Sequence, residues 1–502
     1  MYVSSHLSSI SVIRLKPSPR LSLSRDEIRA IYAQEEEAVI ELVESLVARI
    51  NALEERVEAL ENQQSKTSRN SSKPPSGDGF AKQTQSLRQK SNRSSGGQPG
   101  HPGSTLEWCA EPDYVESHPV TVCHGCGASL VNSPVADWEV RQVHDIPPLQ
   151  LEVTEHQCEV KSCPNCGSLN RGQFPSEVQQ SVQYGVHLQS LMVYLMELQL
   201  LPSQRVCELL SEVFGIEVSE GTLYNVRTRC FEALAASEVE IQQALLTADV
   251  VHFDETGFRV KQTLWWLHVA CTESLTYYFV HPKRGQLAME DMGILPQFGG
   301  TGVHDGLKSY VQYGFCHSLC NAHHLRELLF ISERYHQGWA EQMTTLLREM
   351  NRLVAAAKEA GSVELGLSEI SQLEQQYGEI LQLGFQANPP EEIPEGQPKP
   401  RGRVKQSPAK NLLDRLATQQ NAVLRFIHDF AVPFDNNQAE RDLRMMKLKQ
   451  KISGCFRSPA GAVMFCRIRS YLSTLRKQGV NLWDALVQVF MGPPMSPIPN
   501  AE

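Results

Sequence analysis

From about Ser24 to Gln64, apolar side chains recur in alternating steps of four and three, at Val39, Val43, Leu46, Ile50, Leu53, Val57 and Leu60. This heptad seam predicts a coiled coil over residues 25–64. Val43, Ile50 and Val57 fall on a positions, with leucine at most d positions, a pairing that favours a parallel two-stranded assembly and so a homodimer or higher oligomer. The plain alternative is an amphipathic helix lying on its own domain. Residues 1–24 are Ser-rich, carry Pro17 and Pro19 and show no period, so they are expected to be disordered.

Helical periodicity returns near residue 185, and LPSQRVCELLSEVFGIEVSEGTLYNVRTRC has the outline of a helix-turn-helix. Pro202 and Ser203 open one helix, Gly215 ends it, and Ser219 caps a second that carries Arg227 and Arg229. Residues 180–240 are therefore expected to be a helical DNA-binding region, although a plain helical hairpin has the same outline. After Ala248 the pattern changes to strands. VVHFDETGFRV, TLWWLHVACT and LTYYFVHPKRG read as an antiparallel meander, a helix follows from about Gln286, and TGVHDGLKSYV supplies a fourth strand ending at Asp305-Gly306.

Three meander strands, a helix and a further strand open an α/β RNase-H-like sheet, in which the first and fourth strands are neighbours. Asp254 is then expected beside Asp305, with Glu255 as a turn-forming neighbour that points elsewhere, as does His252. Two aspartates are too few to hold a pair of Mg²⁺ ions, which take oxygen donors in octahedral geometry, so a third carboxylate is expected. FDNNQAERDLR, residues 434–444, offers Glu440 and Asp442, about 200 degrees apart on one helix, with Asn436 or Asn437 as the cap. A capped surface helix with a Glu440–Arg444 pair fits the same spacing.

The chain has 502 residues, 41% of them apolar, enough for several cores and a multi-domain protein. It has no apolar run long enough to cross a membrane, and its first twenty residues lack a signal-peptide core. Of its 13 cysteines, Cys123, Cys126, Cys163 and Cys166 form two CxxC pairs with 36 residues between them, each followed by glycine. Two such knuckles predict one structural Zn²⁺ within residues 109–172, brought together by a strand pair in VADWEVRQVHDI and LQLEVTEHQC. Reduced, metal-binding thiols fit the cytoplasm. The net charge of −10 hides local patterning. Between Lys66 and Arg93, within a Ser/Gly/Pro-rich linker over residues 65–108, seven basic residues face the single acid Asp78. Residues 441–477 carry ten basic residues against Asp442, which makes Arg441, Arg444, Lys447, Lys449, Lys451 and Arg457 candidates for phosphate contact. In CHSLCNAHHLREL, Cys316, His317, Cys320, His323 and His324 have steps short enough for zinc, but a helix whose Cys320 and His323 face packs behind the sheet accounts for the pattern better.

NSSKPPSGDG, GGQPGHPG, the two CxxCG knuckles, SEGTLYN, HFDETGFRV, HDGLKSY, CNAHHLREL and NNQAERDLR occur in that order. In this ordered series the chain resembles insertion-sequence transposases of the IS66 type over nearly its whole length after the first two dozen residues. The resemblance implies a DDE transposase that cuts and joins DNA at the ends of its own element, with Asp254, Asp305 and Glu440 as ligands of two Mg²⁺ or Mn²⁺ ions. It implies a catalytic domain over residues 245–450 with a helical insertion at about 335–425, a basic region over 451–502, nucleoid-associated action and possible small accessory proteins. A DNA-binding protein without catalysis and an RNase-H-like nuclease without strand transfer are the competing readings.

Overall fold

The computed structural model describes residues 24–33, 36–71, 106–147, 149–175, 177–389 and 406–498. The expected disordered start, most of the basic linker and most of the loop EEIPEGQPKPRGRVKQSP lie outside the described residues. Two compact units emerge, Met1–Gln85 and Ser86–Glu502. In the first, α1 (Arg25–Tyr32) precedes α2 (Glu36–Ser65), a continuous helix with Glu36 and Glu37 in its first turn, where carboxylates suit the helix dipole. The seam residues Val43, Ile50, Leu53, Val57 and Leu60 of α2 are all exposed.

From residue 106 the described part of the second unit opens with little regular structure. A hairpin there pairs β1 (Val160–Ser162) with β2 (Leu169–Arg171), and an isolated bridge joins Val122 to Ser129. Among the described residues of 135–158 the expected strand pair is not formed, and Trp138, Val140 and Val143 of that stretch are exposed. Their alternation has no second layer to cover it, and two strands without one are marginal in water.

Regular packing starts at α3 (Val186–Val193), which runs into a π-helical turn over Tyr194–Leu198. Next come α4 (Ser203–Phe214), α5 (Glu220–Ala233) and α6 (Ala235–Leu246). The turn between α4 and α5 follows the expected signals. Gly215 takes the left-handed conformation that ends α4, and the Ser219 hydroxyl accepts the Thr222 N–H at 3.1 Å to cap α5.

A five-stranded sheet follows, formed by β3 (Val250–Val260), β4 (Thr263–Cys271), β5 (Thr276–His281) and, after helix α7 (Gln286–Met292), β6 (Thr301–His304) and β7 (Cys316–Leu319), in the strand order β5-β4-β3-β6-β7. The first three strands are antiparallel, and β3–β6 and β6–β7 are parallel. Strand β7, which carries Cys316 and His317, is not foreseen in the sequence pattern, and the helix expected for Cys320 and His323 begins just after it. Gly302 on β6 admits the Phe315 ring, since a Cβ there would sit 2.4 Å from the ring.

The helical insertion comprises α8 (Asn321–Tyr335), α9 (Gly338–Glu359), α10 (Leu367–Ala387), α11 (Pro408–Thr418) and the short α12 (Gln420–Val423) and α13 (Arg425–His428), around a core of their own. The chain returns to the sheet in α14 (Asn437–Ser453), α15 (Pro459–Lys477) and α16 (Leu482–Met491). Helices α14 and α15 cover one sheet face through Phe258, Val260, Leu443, Met446 and Phe465, and α6 and α7 cover the other through Val251, Phe253 and Met289. Helix α15 also closes the free edge of β5. Ser470 Oγ accepts the Tyr278 N–H and Thr474 Oγ1 the Thr276 N–H, each at 2.9 Å, so the edge offers no template for another strand.

Candidate active site

Strand β3 is the organising element. Its side chains alternate between faces, so Asp254 shares a face with Phe258 and Val260 under α14, and Glu255 looks the other way with Phe253. Both acids lie in mid-strand, paired with Val269 and His268 of β4; neither is a turn residue. Asp305 follows directly on β6, whose parallel pairing with Val250–His252 brings it to the middle of β3. A left-handed Gly306 and the Leu307 N–H, which donates to Asp305 Oδ1 at 2.9 Å, fix its turn. Donor atoms of Asp254, Glu255 and Asp305 all lie within 4.8 Å of one another. Glu255, placed outside the site on sequence grounds, therefore belongs to its wall.

Glu440 enters from the first turn of α14. It lies outside the 4.8 Å group, 4.0 Å from His323 Nε2 and 3.8 Å from Arg326 Nη2, yet near enough for its charge to act on Asp254. The helix is docked by Asn436. This residue occupies the N-cap position, but its side chain serves the sheet instead. Its Nδ2 donates to the Phe253 carbonyl at 2.8 Å, its Oδ1 meets His252 Nδ1 at 2.7 Å, and its backbone N–H donates to Cys320 Sγ at 3.1 Å. Asp435 caps the turn instead, accepting the Asn437 N–H at 3.0 Å. Asp442 points away to Lys477 Nζ at 2.6 Å and Thr276 Oγ1 at 3.2 Å, which removes it as a rival third acid.

The two neighbours on β3 live under different fields. Burial, with Glu255, Asp305 and Glu440 close by, holds the Asp254 carboxyl well above the usual carboxylate range, against which the Glu255 N–H donates to Oδ1 at 2.8 Å. Glu255 is raised by burial and by Asp305 but has compensation. Arg284 donates to its Oε1 through Nε at 2.8 Å, with Nη2 in ion-pair contact at 2.7 Å, and the Tyr310 hydroxyl donates to Oε2 at 2.7 Å. Glu255 is thus a paired carboxylate, whereas Asp254 is buried among acids with no cation of its own. Hard oxygen donors, with no cation paired to Asp254, fit a divalent metal ion.

The Cys/His segment builds the frame behind these acids. The Gly306 N–H donates to His304 Nδ1 at 3.1 Å, so His304 Nε2 carries the proton toward His317 Nδ1 at 3.0 Å, and His317 Nε2 in turn donates to the Tyr313 carbonyl at 3.1 Å. Burial holds both rings neutral, His304 down at about 3. His324 is buried against Asn321. Among the described residues this segment forms no metal-holding group.

The basic candidates divide. Arg229, Arg441, Arg444, Lys447, Lys451 and Arg457 are exposed. Arg227 instead turns inward, ion-paired with Glu197 and donating to the Gly461 carbonyl at 2.9 Å. Lys449 lies 4.0 Å from the Phe456 ring centre, and burial lowers it to about 8. Of the remaining charge on α15, Arg467 pairs with Glu238, Arg469 is buried and Lys477 serves Asp442. A count of basic residues therefore overstates the phosphate-facing surface.

Each CxxC pair folds into the same turn. The Gly127 N–H donates to the Cys123 carbonyl and the Gly167 N–H to the Cys163 carbonyl, both at 2.9 Å, with both glycines at positive φ. Local hydrogen bonds lower the Cys123 and Cys166 thiols. The two knuckles do not form one four-cysteine cluster among the described residues.

Three family models match the chain. One described as the Transposase IS66 family covers residues 181–464. A second, the zinc-finger binding domain of transposase IS66, covers 121–167, and a third, a family of unknown function (DUF6444), covers 23–107. No curated protein matches the chain.

Proposed function

The chain belongs to the IS66 transposase family and carries that family's zinc-finger domain, and from this premise we propose that it cuts and joins DNA at the ends of its own insertion sequence, with Asp254, Asp305 and Glu440 as the metal-holding acids. The observation that carries the reading is Asp254, a buried carboxylate among acids with no cation of its own. The strand order β5-β4-β3-β6-β7 supports an RNase-H-like domain, with one acid from the central strand, one from the end of its parallel neighbour and one from a helix packed across them. Two divalent ions, Mg²⁺ or Mn²⁺, would activate a water or 3′-hydroxyl and stabilise the departing oxygen. The chain's part is to hold three carboxylates on three elements, to fix the third through Asn436, and to keep Glu255 occupied.

Cys123, Cys126, Cys163 and Cys166 are the ligands we assign to the structural Zn²⁺, and the exposed seam of α2 is the surface we assign to self-association. Exposed Arg229, Arg441, Arg444, Lys447, Lys451 and Arg457 are the proposed DNA contacts. Incubation of a labelled element end with plasmid and Mg²⁺ tests the reading. Joined product supports it, cutting without joining assigns a nuclease, and binding without either assigns a non-catalytic DNA-binding protein.

A further inference from the structure

We propose that Arg284 is the phosphate clamp of this site, a fixed cation that takes a non-bridging oxygen of the DNA backbone beside the reacting bond; the inference rests on the function proposed above. Arg284 lies in the loop between β5 and α7. That loop is tied down. The Lys283 N–H donates to His281 Nδ1 at 3.0 Å, and His281 Nε2 lies 3.1 Å from Asp291. The guanidinium carbon stands 4.9 Å from the Trp266 ring centre, and Nε and Nη2 are committed to Glu255. Ring and carboxylate together fix the plane of the group.

The pair is lopsided in a way that simple charge balance does not require. The Glu255 side chain is 0% exposed, but that of Arg284 is 42% exposed. Of the five N–H donors of an arginine, only that of Nε makes a hydrogen bond, Nη2 touches the same carboxylate oxygen, and both N–H groups of Nη1 have no partner among the described residues. Because the donors of Asp254, Glu255 and Asp305 lie within 4.8 Å of one another, the cation held on Glu255 stands at the edge of the proposed metal site. A DNA phosphate arriving at a group of acids meets repulsion from all of them. A planar cation with free N–H groups, already oriented before the substrate arrives, offsets that repulsion and suits an oxyanion. In this account Glu255 is a positioning residue that acts through Arg284.

A phosphate-neutralisation cycle tests the assignment. Labelled element ends, each with one methylphosphonate near the cleavage point, are given to wild type, Arg284→Gln and Arg284→Lys with Mn²⁺. On native DNA, Arg284→Gln is expected to cut roughly 10- to 100-fold more slowly, as for loss of a hydrogen bond to a charged group. At one position the neutral phosphate should slow wild type to the rate of the variant and leave the variant unchanged. Mn²⁺ affinity and melting temperature should be kept in Arg284→Lys, which also carries the test if the Gln variant does not fold. Equal slowing of wild type and variant at every position, or loss of Mn²⁺ binding in Arg284→Lys, would show that Arg284 only balances Glu255. A wild type inert on native ends overturns the parent reading and this one with it, whereas an active wild type without the interaction overturns this one alone.

Discussion

The zinc-finger segment and the carboxylate site are built by opposite means. In the first, the chemistry is written in adjacent letters, two CxxCG knuckles with matching hydrogen-bonded turns, but no apolar layer covers residues such as Val143, which is 90% exposed. In the second, the acids are 51 and 135 residues apart, and what brings them together is a packed sheet, the β3–β6 pairing and a docked helix. Local motif without a core leaves assembly to the metal, because ligand binding then is the folding energy. A core without a local motif sets the geometry first and can hold acids that repel one another.

The largest expected effect separates the two regions directly. Chelation, or Cys163→Ser, should remove the Zn²⁺ and with it about 10 kcal/mol or more of apparent stabilisation of the module. Limited proteolysis should then cut within residues 106–172, with the melting transition of the sheet domain unmoved; a common transition would contradict the contrast. Next is the docking of α14. Asn436→Ala leaves the Phe253 carbonyl and His252 Nδ1 without their partner in a buried site, and should cost about 2–4 kcal/mol in denaturant unfolding.

The smallest effect concerns Lys449. Burial depresses it to about 8, below its unfolded value of 10.5, so the folded state favours the neutral amine. Its contribution to stability is present above the unfolded value and is lost as pH falls through about 8. Lys449→Met should therefore raise stability at pH 7, flatten the rise seen between about pH 8 and 10.5 in wild type, and leave the salt dependence of DNA binding unchanged. A reduced salt slope would return Lys449 to the DNA surface.

How much was legible follows the same contrast. The meander, the helix from Gln286 and the Gly215 and Ser219 signals follow from periodicity and turn chemistry, which are local, whereas the nearness of Asp254 to Asp305 was reached only through the RNase-H-like strand arrangement. Strand β7 was hidden because CHSL is short and sits in a run of potential ligands. Glu255 was misplaced because alternation along a strand says where a side chain starts, not how far a carboxylate reaches around the end of β6. Arg284, Tyr310 and the double role of Asn436 leave no sequence signal, since their partners are 29, 55 and 184 residues away. Arg227 and Lys449 look like DNA contacts until burial assigns them to Glu197 and Phe456.

The central claim is that Asp254 serves chemistry and not shape. The most direct measurement is Asp254→Asn, assayed in parallel for binding and for joining of a labelled element end with Mg²⁺. Unchanged end affinity with strand joining reduced by roughly a thousandfold or more is the predicted result, as expected when a metal-holding group is lost. Joining that persists within a few fold of wild type, or loss of binding in step with joining, would contradict it.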